Sequence, residues 1–299
     1  MFHNQIDKGI QLFLSPSTKK RSEQVILLIA IASYLIHLGL IALSNFGVLP
    51  SDSKFLSNPI SAIYTPFSFI LIYEVYLLLF YLPKSTSFYI GKQYEIMTLI
   101  VIRRIFKDLG DLELVKDWFQ NENDLRFTID ALTSLILFLL IYLFYHKILR
   151  REQPANGSHE ISVSPAGQFV FLKKIIALLL VPVLIVLAIY SFTSWVRLVL
   201  NNGLADASVL AYTNNIFFDE FFTILIVVDV LLLLASFFYS DRFHTIIRNS
   251  GFVLSTIMLK ISFSVSGILN NLLIVGSVIF GLLILYIHQL FERSTPNNG

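Results

Sequence analysis

Six stretches of the chain, at about 24–44, 61–82, 127–148, 169–197, 216–240 and 266–290, are apolar for long enough to cross a bilayer. A hydrocarbon core about 30 Å thick needs about 20 mostly apolar residues per helix. Inside it every backbone polar group must find a partner within the protein, which leaves only helices and closed barrels. Runs of this length predict an all-α, polytopic transmembrane bundle. Two more stretches, about 86–106 and 243–262, have helix length but carry internal charge, and a central Lys or Arg costs about 2.5–3.5 kcal/mol on insertion. Counting both gives about eight spans; the bundle has six if the two charged helices do not cross. Composition agrees, since only 14% of the 299 residues are charged, against about 25% in soluble domains.

Charge bias orients the eight-span arrangement. With the N-terminus inside, the inner segments hold Lys19, Lys20, Arg21, Lys84, Lys147, Arg150, Arg151, Lys173, Lys174, Arg242 and Arg293. The outer loops hold fewer bases, among them Lys54, Lys116 and Arg126, diluted by Asp111, Glu113, Asp117, Glu122 and Asp124. This bias predicts a multi-pass protein of the plasma (inner) membrane with both termini cytoplasmic. Arg103, Arg104 and Lys107 go against it. The first residues contain Asp7 and only a short apolar patch, unlike a cleaved signal peptide. A polar linker rich in Pro, Gly and Ser, 151–168, reads as a cytoplasmic joint between a first four-helix module (1–150) and a second (169–299). The loop 108–126 reads as a short interfacial helix anchored by Trp118.

The two modules look like copies. Shifting by 155 residues before the inner turn and 156 after it brings Glu74 onto Asp229, Lys92 onto Arg248, Gln93 onto Asn249 and Arg104 onto Lys260. Apolar matches between membrane helices carry little information. Two bases twelve residues apart in both copies carry more. Both modules keep one orientation, so the expectation is two parallel four-helix repeats. In the second copy Asp229, Phe243, His244, Arg248 and Lys260 form a pattern that resembles the phosphate-starvation-inducible E (PsiE) family. The likeness covers about 220–291, and in the first copy Phe88 stands where the histidine would be. It implies a small multi-pass inner-membrane module with no settled molecular activity, here present twice.

Ionisable groups inside a bilayer are the candidates for function, because each is expensive unless paired or hydrated. Folding 72–108 about a turn near Ser85 brings Glu74 close to Lys92 and Glu95, about a dozen ångströms from the cytoplasmic edge. Arg104, Asp229, His244, Arg248 and Lys260 complete the candidate set, with Ser255 and Thr256 near Asp229. Three roles fit: a structural ion pair, a proton or ion relay, or a site for anionic lipid headgroups. His37 reads as a buried hydrogen-bond partner. The chain has no cysteine, and no zinc-binding HExxH, phosphate-binding loop or nucleophile elbow occurs. No cofactor, metal or nucleic-acid partner is therefore expected, and the lipid bilayer is the expected partner. Two functional readings follow. One is a non-enzymatic, multi-pass PsiE-like membrane protein of undefined molecular activity, related to stress or envelope physiology. The other is a small transporter or channel that moves ions or protons along the polar groups of the two inner hairpins.

Overall fold

The computed structural model describes residues 2–47, 62–109, 122–149, 165–202, 208–239 and 243–294. They form α1 (Phe2–Phe13), α2 (Pro16–Asn45), α3 (Tyr64–Tyr81), α4 (Thr86–Leu109), α5 (Glu122–Leu149), α6 (Pro165–Asn202), α7 (Ser208–Tyr239), α8 (Phe243–Phe263) and α9 (Ile268–Ser294). No strand occurs among the described residues. Residues 110–121 of the expected interfacial segment, with Trp118, and linker residues 151–164 lie outside them, while 108–109 end α4 and 122–126 begin α5. The remainder of that linker, from Pro165, already belongs to α6.

Local chemistry sets the breaks. Ser15 caps α2, its Oγ accepting from the Thr18 amide at 3.1 Å, with Pro16 in the first turn where no backbone donor is missed. Pro83 ends α3, since its ring cannot continue a helix. Gly267, at φ +70°, makes the tight turn between α8 and α9. Pro182 is carried inside α6, as membrane helices tolerate. The first helix, α1, was not foreseen. It packs on α6, where Gly9 sits against Leu178, and the Tyr76 hydroxyl of α3 donates to the Phe13 carbonyl at 2.8 Å.

Successive helices pack side by side: α2 on α3, α3 on α4, α4 on α5, then α6 on α7, α7 on α8 and α8 on α9. The two sets meet chiefly through α5 on α9, with α3 on α6 and α4 on α8. One end gathers the α3–α4 turn, the start of α6 and the ends of α5 and α9. There Lys173 Nζ donates to the Lys84 carbonyl at 3.3 Å, and Gln289 Nε2 to the Lys147 carbonyl at 2.9 Å. We call this the basal end. The opposite end gathers the end of α4 and the starts of α5 and α9.

Six helical segments are long and apolar enough to cross a membrane: Lys8–Asn45, Glu122–Leu149, Gly167–Tyr190, Glu220–Tyr239, Phe243–Phe263 and Ile268–Ser294. They are not the six expected. The segment 243–263 qualifies despite Arg248 and Lys260, whereas the described apolar part of α3, Thr65–Tyr81, is shorter. Helix α4, with Lys92, Glu95, Arg103 and Arg104, does not qualify. Yet α3 and α4 are the most enclosed helices, with no exposed residue among their described side chains. The large exposed apolar residues lie instead on the surrounding helices, such as Leu28 and Ile36 of α2, Leu135 of α5, Val186 of α6, Phe238 of α7 and Leu272 of α9. Neighbouring helices thus shield the charged segment from lipid. The fold expects a sidedness that the cysteine-free chain makes easy to read. A membrane-impermeant maleimide should label Lys84→Cys and Ser294→Cys from one side and Ser266→Cys only from the other.

Candidate functional site

The interior of the bundle is polar where α4, α7, α8 and α9 converge. The amide of Gln93, fully buried, donates from Nε2 to Asp229 Oδ2 at 3.1 Å and accepts at Oε1 from the Thr256 hydroxyl at 3.0 Å. Asp229 is itself only 4% exposed. The Tyr89 hydroxyl lies buried beside Asp229 and Gln93, and Lys173 is within electrostatic reach of the carboxylate. Between them a cavity of about 30 Å³ is lined by Tyr89, Lys173, Asp229 and Asn249 among others, room for one or two waters. Toward the basal end Lys173 Nζ donates to Thr86 Oγ1 at 3.0 Å.

The file of polar groups continues inward. Tyr94 Oη pairs with Ser255 Oγ at 2.7 Å, and Ser255 Oγ donates to the Ser277 carbonyl at 2.8 Å. Gly281 makes this possible, because a Cβ there would overlap the Tyr94 hydroxyl. Next come apolar side chains: Val101 of α4, Leu259 of α8 and Ile274 of α9, all essentially inaccessible. By register they lie between the serine level and a second polar cluster at the far end. In that cluster Arg104 pairs with Asp130 through Nε and Nη2, and donates to Asn270 Oδ1 at 2.7 Å and to Asn271 Oδ1. Asn271 Nδ2 also donates to Asp130 Oδ1 at 2.6 Å, and Asn270 Nδ2 to the Ser262 carbonyl at 2.5 Å.

The expected residues are divided among several places. Lys92 and Glu95 form an ion pair at 2.5 Å, and Glu74, half-buried, is in electrostatic reach of both. This group sits against Tyr81, whose ring faces Lys19, Lys84 and Lys92, rather than in the polar file. By the same spacing that joins Glu74 to Lys92, the second copy is expected to offer Asp229 with Arg248. The structure instead gives its carboxylate a bond from Gln93, while Arg248 donates to Asn249 Oδ1 at 3.0 Å. The physical reason is register: Gln93 comes from a helix of the other set, which spacing within 227–262 cannot show. Lys260 lies half-buried in the last turn of α8. His244, half-buried at the start of α8, faces the His288 ring at 5.1 Å between centroids. His37 is buried, with Nδ1 at 2.7 Å from Thr65 Oγ1.

Sequence reasoning missed Asp130, Asn270, Asn271, Tyr94 and Lys173 as site residues. Asp130 carried a signal, being an acid inside the apolar run 127–148, as Glu74 is inside 61–82. Fold and interior together define a class: an all-helical, polytopic membrane protein with a polar seam between its two sets of helices. Comparison with protein families, with curated proteins and with solved structures finds no match.

The Tyr94 contact gives a direct test of the seam. Gly281→Ala should displace Tyr94 and lower stability by about 1–3 kcal/mol, the usual range for overpacking, read as a drop in Tm in detergent. Gly281→Ala combined with Tyr94→Phe, which removes the hydroxyl that a Cβ would overlap but keeps the ring carbon beneath it, should recover part of that loss.

Proposed function

We propose that this protein conducts or transports protons through the seam between two four-helix repeats, each spanning the plasma membrane four times. The observation that carries the reading is Asp229. It is an ionisable group in the interior whose bonded partner is a neutral amide, next to a water-sized cavity that leads toward Lys173 and the basal end. A group of that kind in a membrane interior is a functional candidate by default, and here its direct hydrogen bond comes from an amide while Lys173 reaches it only electrostatically. The hydroxyls of Thr256, Ser255 and Tyr94 extend it with groups that both donate and accept. Val101, Leu259 and Ile274 would then be an apolar gate, and Arg104 with Asp130 the polar group at its far side.

The repeat is supported by the packing of α4 on α8, the pair that the shifted alignment makes equivalent, and of α5 on α9, which follow them in chain order. The clustering of Lys19, Lys84, Lys147 and Lys173 at the basal end supports placing that end, with both termini, in the cytoplasm. The geometry favours transport over a role without flux. The PsiE-like pattern then marks the half that supplies the acid, through Asp229.

Proteoliposomes holding a pH-sensitive dye test the proposal. Imposed pH gradients should collapse faster with the protein than without it. Leu259→Ser should speed the collapse by widening the gate, and Asp229→Asn should slow it by about 100-fold or more, the scale of a lost proton-transfer group, at unchanged Tm. Glu74→Gln should leave the rate within about twofold. Rates equal to empty vesicles for both the wild type and Leu259→Ser would overturn the proposal, as would full activity in Asp229→Asn.

A further inference from the structure

The basal end holds a second group of polar side chains that the seam does not use. His288 and Glu292 are four residues apart on α9 and share one face of the helix. The Gly267 turn folds α8 back along α9, so the start of α8 meets the end of α9 and delivers His244 to the same point. His288 Nδ1 lies 3.7 Å from Glu292 Oε2, and the His244 ring stands edge-on to the His288 ring at 65°. One ligand atom from each of the three residues lies within 4.8 Å of the other two.

We infer that His244, His288 and Glu292 form a binding site for a divalent transition metal of the zinc class, bridging α8 and α9 at the basal end. Two imidazoles and one carboxylate suit zinc and its neighbours, whereas Mg²⁺ and Ca²⁺ take oxygen donors. Bonds of about 2.0–2.2 Å in a tetrahedral site put ligand atoms about 3.3–3.5 Å apart. The present spacing reaches that by small rotations of His244 and Glu292, which are half-buried at helix ends, around a His288 that is 2% exposed. Three protein ligands leave a fourth position for water. The nearby bases have other contacts: Arg248, one turn deeper on α8, donates to Asn249, and Lys147 of α5 lies 4.7 Å from the Tyr286 ring centre. The inference is independent of proton flux, because it concerns residues outside the seam.

Tag-free protein in detergent, stripped with a chelator and titrated with ZnCl2 by calorimetry, tests it. One equivalent should bind and raise Tm, CoCl2 should give the visible absorption of a nitrogen-and-oxygen site, and MgCl2 should not compete. The double variant His244→Ala with Glu292→Gln should weaken zinc binding by about tenfold or more while keeping the metal-free Tm, which separates a lost ligand from a lost fold. No zinc binding by the wild type, or undiminished binding by the double variant, would overturn the inference. Equal competition by MgCl2 would overturn the metal class.

Discussion

One side chain, Gln93, holds together what the rest of this bundle arranges around. An amide donates and accepts at once, and here the donor end meets Asp229 of α7 while the acceptor end meets Thr256 of α8. Three helices from the two sets are therefore joined through a single neutral group. In a membrane interior there is no bulk water to satisfy whatever such a contact leaves over. The surrounding polar atoms must be matched within the protein, and most are, through Tyr94 with Ser255, Ser255 with Ser277, and Arg104 with Asp130 and the two asparagines.

The same constraint explains the distribution of charge. Aliphatic side chains cover the outward faces of α2, α5, α6, α7 and α9. Charged α4 lies in the middle, packed by α3, α5, α8 and α9. A helix that would insert poorly alone is stable once its neighbours replace lipid around it. Small residues make the close approaches possible, most tightly at Gly281 beside Tyr94, in keeping with the small-residue contacts common between membrane helices.

Much of this architecture was legible in the sequence, because length and hydropathy are local properties. Helix existence followed from the apolar runs, and the Pro83 break followed from one residue. The ranking of spans did not: 243–263 qualifies and the described part of α3 falls short, a matter of where helices begin and how charges are spaced. The site was legible only as far as charge was. Lys92 and Glu95 meet because three residues on a helix share a face. Gln93 stood out only as the repeat match of Asn249; it carries no charge, and its partners lie on other helices, out of reach of any spacing rule. Asp130 was visible as an acid inside the apolar run 127–148, but its partners Arg104 and Asn271 lie on other helices. His288 and Glu292 became a pair with His244 only once the α8–α9 hairpin was in view.

The central claim is that a polar seam couples the two sets of helices, and its most direct measure is the coupling energy across the Gln93–Asp229 contact. A double-mutant cycle of Gln93→Leu and Asp229→Leu, followed by reversible unfolding in mixed micelles, isolates that pairwise contribution. The account predicts non-additivity of about 0.5–2 kcal/mol, the range for bonded neighbours in and out of membranes. Effects that add within about 0.3 kcal/mol, as for distant independent sites, would contradict it.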